Sequence, residues 1–261
     1  MTLKAATFNA NSIRARQGIV LNWLERERPD ILGIQETKVQ DKDFPAGPFE
    51  EAGYHVAYRG QKSYNGVAVL SRFPLKDVQV DLGDQGPDEE ARFISLQAGP
   101  VRFINVYVPQ GYAVGTERFE KKLRWLRLLL EHVRSLYDPV NPLLMTGDFN
   151  VALEPRDVHD PEGLDGQVCF HPEERAIFRE FLDWGLVDVL RKHEPGEGLY
   201  TFWDYRIPNA LKRNLGWRID YILATPPLAE ASIGARIDME ARLLEKPSDH
   251  TFLQAEFRYP A

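Results

Sequence analysis

Short apolar runs alternate with longer amphipathic stretches along this 261-residue chain. The short runs predict β-strands, and the stretches in which apolar residues recur every three or four positions predict helices. The predicted strands are residues 3–8, 30–34, 67–70, 92–96, 101–108, 143–146, 200–203, 219–223 and 252–257. The predicted helices are residues 13–28, 117–137 and 173–183.

The order of these elements is mixed, since it is neither a strict alternation of strand and helix nor a block of strands followed by helices. Two β-sheets packed face to face with helices outside would bury this many strands, so the predicted fold class is α/β. We predict one domain that spans residues 1–261. Two fused halves of equal size would also suit this length, but no internal repeat is visible in the sequence.

Composition narrows the class of protein. Hydrophobic residues make up 43% and charged residues 27% of the chain, which is typical of a globular protein and excludes disorder, collagen and coiled coil as global descriptions. Asp and Glu number 39 against 32 Lys and Arg, so the net charge of −7 argues against a protein that coats nucleic acid without specificity.

The chain shows no sign of secretion or membrane insertion. Its single cysteine, Cys169, excludes an intrachain disulfide and indicates a reducing compartment. The first residues lack the apolar core of a secretory signal, and no apolar run is long enough to span a bilayer. We therefore expect a soluble, cytoplasmic protein with no membrane partner.

Two polar segments are predicted to be surface loops. Residues 157–167 are rich in Asp, Gly and other helix breakers, and residues 83–90 (GDQGPDEE) carry several acidic groups. The acidity of the second loop makes it a poor contact for nucleic acid.

Polar side chains recur at the ends of the predicted strands. Each one alone is more typical of a turn or a solvated strand end than of catalysis. Recurrence at six strand ends changes the interpretation, because together they supply carboxylates for Mg²⁺, a base for water and donors for phosphate charge. The residues are Asn9, Asn11, Gln35, Glu36, Lys38, Tyr107, Gln110, Asp148, Asn150, Asp220, Asp249 and His250.

A set of motifs gives these residues a family context. In chain order they read FNANSIRAR, GIQETK, NGVAVLSR, NVYVPQG, GDFN, YTFWDYR, GWRIDYIL and EKPSDH. With them the chain resembles the exonuclease III family, the Mg²⁺-dependent apurinic/apyrimidinic (AP) endonucleases of the endonuclease/exonuclease/phosphatase superfamily. The resemblance covers residues 3–257 and implies a four-layer α/β sandwich with two mixed sheets.

The resemblance implies a role for each residue of the ring. Glu36 looks like the principal metal ligand, with Asn11 near the same metal and Asp249 as a further or alternative ligand. Five residues resemble the catalytic set. These are Tyr107 as a phosphate-side donor, Asp148 as the acceptor of the proton from water, Asn150 as an orienting donor, His250 as a phosphate contact and Asp220 as its orienting partner.

Substrate contacts follow from the same resemblance. Phe202, Trp217 and Ile219 fall where relatives build an apolar pocket for a sugar without a base, although the aromatic pair is also typical of an ordinary core. The predicted phosphate and DNA contacts are Asn9, Lys38, Gln110, Arg206, Arg213 and Asn214. Two basic segments support them, residues 206–218 with Lys212 and Arg218, and residues 117–134 with a surplus that includes Lys122.

The resemblance implies a DNA-repair phosphodiesterase that uses Mg²⁺, with Mn²⁺ as a substitute. It would cleave 5′ to abasic sites in double-stranded DNA, leave a 3′-hydroxyl and a 5′-phosphate, and act on blocked 3′ ends as a monomer. One departure is residues 160–165 (DPEGLD), which are acidic where relatives are often basic, and this predicts a weaker grip on DNA.

Two alternatives stay open. One is a hydrolase of the same superfamily that acts on another phosphoester, such as an inositol phosphate or a phospholipid head group. The other is a nucleic-acid-binding scaffold without catalysis.

Overall fold

The computed structural model describes residues 2–83 and 90–258, so most of the predicted acidic loop at 83–90 lies outside the described residues. In this part of the chain twelve strands form two six-stranded sheets. The strands are β1 (Thr2–Asn9), β2 (Ile31–Gln35), β3 (His55–Arg59), β4 (Val67–Ser71), β5 (Leu75–Gln79), β6 (Phe93–Ala98), β7 (Val101–Tyr107), β8 (Leu143–Asp148), β9 (Val187–Asp188), β10 (Asp220–Ala224), β11 (Ser232–Asp238) and β12 (Phe252–Arg258).

The helices are short, apart from three. They are α1 (Ile13–Glu27), α2 (Ala46–Glu51), α3 (Glu117–Leu136), α4 (Pro161–Leu164), α5 (Pro172–Asp183), α6 (Val189–His193) and α7 (Pro226–Ala231). None of the helices in the described ranges is long and apolar enough to cross a bilayer. The three predicted helices correspond to α1, α3 and α5, and their ends differ by one residue. For example, α1 ends at Glu27 because Arg28 adopts a left-handed backbone with φ +49°.

Both sheets have the same pattern of strand directions. Their strand orders are β11-β12-β1-β2-β4-β3 and β5-β6-β7-β8-β10-β9. In each sheet the only parallel neighbours among the described strands are the central pair, β1 with β2 and β7 with β8, and each pair is joined by a long helix. Every other neighbouring pair is antiparallel. The structure therefore has two halves with the same pattern of strands, each made of one sheet and its long helix. The half with the first sheet takes its strands from both ends of the chain.

The sheets pack face to face through an apolar core that draws residues from both of them, including Ile31 and Val69 of the first and Phe103 and Leu144 of the second. A polar bridge also crosses this core, because Gln35 Nε2 donates to Asn105 Oδ1 at 2.5 Å. The backbone of β2 approaches Asn105 so closely at Gly33 that a β-carbon there would lie 2.8 Å from the Asn105 Oδ1 atom. Only glycine fits that position without displacing the bridge.

Helices cover the two outer faces. Helix α1 packs on the first sheet through Trp23 and Leu24, and helices α3 and α5 pack on the second through residues such as Leu126 and Phe178. The order is therefore helix, sheet, sheet, helix. This confirms the predicted α/β fold with two mixed sheets packed face to face.

Four strands were not predicted, and all four lie at sheet edges: β3, β5, β9 and β11. An edge strand is covered on fewer sides, so its sequence lacks a continuous apolar run. The predicted strand at 200–203 is wrong in another way. Phe202 forms only isolated bridges, with Trp217 and with His250. This segment closes over the end of the sandwich and does not join a sheet.

Candidate active site

The polar strand ends meet at one edge of the sandwich. Because β1 is parallel to β2 and β7 to β8, their carboxyl ends, with Asn9, Tyr107 and Asp148, point the same way. Strand β10 is antiparallel to β8, so its first residue, Asp220, pairs with Asp148. His250 precedes β12, which enters its sheet from this same edge. The fold thus converts polar residues that are far apart in sequence into one cluster.

Asn9 links the two carboxylates at the centre of this cluster. Its Nδ2 donates to Glu36 Oε1 and to Asp148 Oδ2, at 2.8 Å each. The second oxygen of Asp148 accepts the backbone N–H of Asn150 at 2.8 Å. The two carboxylates are therefore held beside each other by an amide with no charge of its own, which is an arrangement suited to binding a cation between them.

His250 lies between Asp148 and a further carboxylate, Asp220. Its Nδ1 is 2.8 Å from Asp220 Oδ2, and its Nε2 is 3.7 Å from Asp148 Oδ2. Burial alone would lower the pKa of His250, but the charges of Asp220 and Asp148 overcome this effect and raise the pKa to about 10. The ring is therefore an imidazolium at neutral pH and can donate from Nε2 to an anion in the cleft.

The two central carboxyl groups differ in acidity. Burial, together with the charges of Asp220 and Glu36, raises the pKa of Asp148 to about 7. Glu36 is partly buried, which would raise its pKa, but Lys38 Nζ lies 2.8 Å from its Oε2 and lowers the pKa below the usual value. Glu36 consequently stays ionised, while Asp148 can take up or release a proton near neutral pH.

Tyr107 contributes a neutral hydroxyl. Burial and the negative charge of Glu36 raise its pKa well above 10, against the opposing effect of Arg92. The Arg92 guanidinium lies over the tyrosine ring at 4.6 Å. Tyr107 is therefore a hydrogen-bond donor at neutral pH.

Three side chains bring possible metal-binding atoms within 4.8 Å of one another: Glu36, Asp148 and His250. His250 is protonated and its Nδ1 faces Asp220, so the usable donors are the two carboxylates. Such oxygen donors fit a hard divalent cation such as Mg²⁺. The other predicted ligands, Asn11 and Asp249, hydrogen-bond to each other at 3.0 Å beside this group, where the Asn11 backbone N–H also donates to Asn9 Oδ1 at 3.0 Å and Asp249 lines the same cleft as Glu36.

A cleft of about 530 Å³ opens over the cluster, and one of its walls is apolar. Phe202, Trp217 and Ile219 all line it, together with Leu164 and Val168, which were not predicted. The backbones of Phe202 and Trp217 exchange two hydrogen bonds of 2.9 Å, which fixes both rings relative to each other. The aromatic pair therefore lines the cleft and also packs against the small apolar cluster of Ala152, Val158, Phe170 and Ile219.

The fold of this chain has counterparts among known proteins. The family model described as Endonuclease/Exonuclease/phosphatase family matches residues 6–250. The chain belongs to this family.

Individual members of the family resemble the chain over nearly its whole length. Exodeoxyribonuclease III of Haemophilus influenzae is 34% identical, covering 98% of this chain and 100% of that protein. An AP endonuclease structure from Archaeoglobus fulgidus is 46% identical with a TM-score of 0.96, and a 3′ phosphatase from Neisseria bound to a product DNA hairpin is 39% identical with a TM-score of 0.94. Each structure covers 98% of this chain and is itself covered completely. The predicted membership, and with it a hydrolase of the nuclease type, is confirmed.

Only some of the residues predicted to contact phosphate and DNA line the cleft. Gln110 and Arg206 line the cleft, and the Arg206 side chain is 89% exposed beside Asp204. Arg213 and Asn214 are exposed but lie outside the residues that line the cleft in the described chain. The amide of Asn214 accepts from Trp203 Nε1 and donates to the Gly198 carbonyl, so it supports the loop.

Two members of the predicted basic segments are not on the surface. Arg218 is fully buried and pairs with Asp157 at 2.7 Å and Asp188 at 2.7 Å, and Lys122 pairs with Glu174 at 2.5 Å, also fully buried. Neither side chain can reach DNA, so their assignment to a DNA-binding surface is wrong. A run of basic residues in the sequence does not show whether an arginine is exposed to solvent or is buried in ion pairs with carboxylates from distant segments.

The predicted surface loop at 157–167 needs a related correction. Its first residue, Asp157, is fully buried, and residues 161–164 form α4. The acidic residues Asp160, Glu162 and Asp165 are exposed, while Leu164 on the same segment lines the cleft. The acidic group predicted to weaken the grip on DNA therefore lies beside the cleft.

Asp157 is the centre of a buried ion network, and removing its charge is expected to be costly. Its carboxylate contacts Arg218 and, at 2.5 Å, Arg191. Asp157→Asn leaves Arg218 with only part of its compensation, so we expect the free energy of unfolding to fall by about 3 kcal/mol at pH 7. Urea unfolding of both proteins measures this difference.

The pH dependence of that difference follows from the pKa of Asp157. Burial would raise this pKa, but Arg218 and Arg191 lower it overall. A lowered pKa means that the stabilisation is complete above the unfolded-state pKa of about 4 and is lost as the pH falls through the folded-state value. A difference below about 1 kcal/mol between pH 6 and 8 would contradict the network's role.

Proposed function

We propose that this chain is a divalent-cation-dependent DNA-repair phosphodiesterase that incises double-stranded DNA on the 5′ side of abasic sites. Action on blocked 3′ ends and 3′→5′ exonuclease activity would use the same site. The observation that carries the proposal is the juxtaposition of the Glu36–Asn9–Asp148 group and the His250–Asp220 pair at the base of one cleft with an aromatic wall.

The side chains divide the reaction between them. Asp148, with its pKa near neutrality, accepts the proton of the attacking water as the water oxygen bonds to phosphorus. The imidazolium of His250 and the hydroxyl of Tyr107 donate hydrogen bonds to the phosphate oxygens as their negative charge grows. The bond from phosphorus to the 3′-oxygen then breaks, and this oxygen takes up a proton from a solvent water, which leaves a 3′-hydroxyl and a 5′-phosphate.

Asp220 and Asn9 position other residues of the site. Asp220 orients the His250 ring through Nδ1 and keeps it charged, and Asn9 fixes the spacing of Glu36 and Asp148. Glu36, the carboxylate that stays ionised, would hold the divalent cation, which when bound supplies positive charge against the phosphodiester. Mg²⁺ is the cation that a hard carboxylate oxygen favours, with Mn²⁺ as a substitute.

The apolar wall supports a preference for abasic nucleotides. Phe202, Trp217 and Ile219 face the cluster across the cleft, and Phe202 lies 4.9 Å from the His250 ring. A sugar without a base can enter such a pocket, whereas a base would have to displace the aromatic rings. The similarity to a 3′ phosphatase bound to a DNA hairpin supports action on 3′ ends as well.

Residues 1–261 would form one domain that works as a cytoplasmic monomer on double-stranded DNA. The continuous apolar core that joins the two sheets supports the single domain. The single cysteine, which is buried and free, supports a reducing compartment such as the cytoplasm. Gel filtration with light scattering would test the monomer directly.

One assay tests the proposed activity and its alternatives. A duplex with a single abasic analogue is incubated with the protein, with and without EDTA, and the product lengths and end groups are determined. We expect one incision 5′ to the analogue, its loss in EDTA and its return with Mg²⁺ or Mn²⁺. Binding without incision would support a scaffold. Turnover of inositol phosphates or phospholipid head groups, but not of the duplex, would support a different phosphoesterase.

Trp217→Ala tests the aromatic wall. The substitution enlarges the pocket, so we expect incision at the abasic analogue to fall by about tenfold, since a lost aromatic contact is worth roughly 1–3 kcal/mol. Incision at intact nucleotides should rise relative to it, because a base then has room. The measurement is the ratio of the two incision rates on matched duplexes.

Trp184→Ala is the control for simple loss of packing. Trp184 is partly buried against the core of the second sheet and does not line the cleft. We expect its melting temperature to fall while the ratio of incision rates stays at the wild-type value. If Trp217→Ala behaves in the same way, Trp217 is only a packing residue.

A further inference from the structure

A fully buried lysine lies directly behind the wall of the cleft. Lys122 is on α3, and its Nζ donates to the carbonyl oxygen of Asn150 at 2.6 Å and to that of Gln110 at 3.2 Å. The same atom lies 3.7 Å from Cys169 Sγ and 2.5 Å from Glu174 Oε1. We call this arrangement the Lys122 junction.

The partners of Lys122 come from three separate loops. Gln110 follows β7, Asn150 follows β8, and Cys169 precedes α5. All three residues line the cleft, whereas Lys122 does not. One ammonium group thus holds three neighbouring parts of the cleft wall from behind.

The backbone at the junction is strained where it meets Lys122. Asn150 and Cys169 adopt left-handed backbones, with φ of +50° and +71°. Such conformations cost free energy in residues other than glycine and persist only where their surroundings hold them. At Gly111, with φ +95°, a β-carbon would lie 3.0 Å from the Lys122 Cδ atom, so the loop after β7 lies close against the lysine stem.

We propose that Lys122 is a positioning residue for the reaction under "Proposed function", on which this inference rests. Through the Asn150 carbonyl it fixes the backbone whose N–H binds Asp148, and through the Gln110 carbonyl it fixes the loop that leads from Tyr107. Glu174 neutralises the lysine charge and keeps it in place. Lys122 touches no substrate and acts through the residues that do.

The competing explanation is that the pair of Lys122 with Glu174 only joins α3 to α5. The chain offers a matched comparison, because Arg134 and Glu180 join the same two helices by an exposed ion pair at 3.3 Å. Removing both charges of each pair avoids leaving a single buried charge, which would destabilise the protein for an unrelated reason. The variants are K122M/E174Q and R134M/E180Q. In the first, the E174Q change keeps a side-chain oxygen that can accept the His171 N–H, which Glu174 accepts in the wild type.

Two readouts are taken from both variants. Turnover is measured on the abasic duplex and on a duplex with a 3′-phosphate, and amide hydrogen exchange is followed without DNA. For K122M/E174Q we expect kcat to fall by about 10- to 100-fold with KM changed less than about threefold, since small displacements of catalytic groups have effects of this size. Exchange should quicken at residues 110–111, 150–152 and 169–170. R134M/E180Q should match the wild type in both readouts.

Equal kcat in the two variants, or unchanged exchange at the three segments in K122M/E174Q, would overturn the positioning role. A wild-type protein that cleaves neither duplex would instead refute the proposed function. The exchange measurement needs no turnover, so it would still decide the role of the Lys122 junction.

Discussion

His250→Ala is expected to lower kcat for incision of an abasic duplex by about 1,000-fold. The substitution removes the imidazolium that lies between Asp220 and Asp148 and lines the cleft. Loss of one donor to a developing oxyanion has effects of this order. Single-turnover kinetics at saturating Mg²⁺ measures the chemical step directly.

The role of Asp220 follows from a double-mutant cycle. If Asp220 acts only by orienting His250 and keeping it charged, Asp220→Ala should be slow, and the double variant should be about as slow as His250→Ala alone. Rates that multiply independently would show that the two residues work separately. The double variant also removes both buried charges, so its melting temperature should be above that of His250→Ala, in which Asp220 is left unpaired.

A distant histidine serves as the control for this cycle. His132 is half-buried on the outer helix α3, where its ring packs edge-on against Phe93 at 5.1 Å. His132→Ala should affect stability but leave the single-turnover rate unchanged. A comparable loss of rate in this variant would mean that the effect of His250→Ala is not specific to the cleft.

Glu36→Gln is expected to change the response to the divalent cation. The pKa of Glu36 is lowered by Lys38, so the wild-type group is a permanent negative charge, and glutamine removes that charge while keeping the shape. We expect kcat at ordinary Mg²⁺ concentrations to fall by about 100-fold and the concentration for half-maximal activity to rise at least about tenfold. High Mg²⁺ or Mn²⁺ should restore part of the rate.

Calorimetric titration with Mn²⁺ tests the same assignment without turnover. Binding should weaken in Glu36→Gln and stay unchanged in Glu240→Gln, because Glu240 is an exposed carboxylate in a surface pair with Arg26. A full Mg²⁺ titration in which Glu36→Gln matches the wild type would show that Glu36 is not a ligand.

The central strands and the long helices could be predicted from the sequence because buried elements have characteristic patterns of apolar residues. Strands such as β7 and β8 are covered on both faces, so their residues form apolar runs, and α3 carries an apolar stripe. The edge strands β3 and β5 are partly or largely exposed, so their sequences contain no continuous apolar run. The equivalence of the two halves likewise became visible only in the strand order.

The residues of the site and the pairing of Asp220 with His250 were predicted from motifs, but the other contacts of these residues were not. The family motifs indicated Glu36, Asp148, Asp220 and His250, and the structure brings them together. It also pairs Asn11 with Asp249 beside this group, and it buries Arg218. These outcomes depend on contacts between segments that lie tens to hundreds of positions apart, for which local patterns contain no information.

Lys122 illustrates the difference between what the sequence predicts and what only the tertiary structure shows. Its position on the same helical face as Phe119 and Leu126 was a local signal that a charged residue lies among buried ones. The sequence alone determined the family, the pair of sheets and the types of residue at the strand ends, because motifs and apolar periodicity are local properties. Only the tertiary structure decided which carboxylates share Asn9, which cations are buried and which loops Lys122 joins, because these contacts exist only once segments that are far apart in the sequence have folded together.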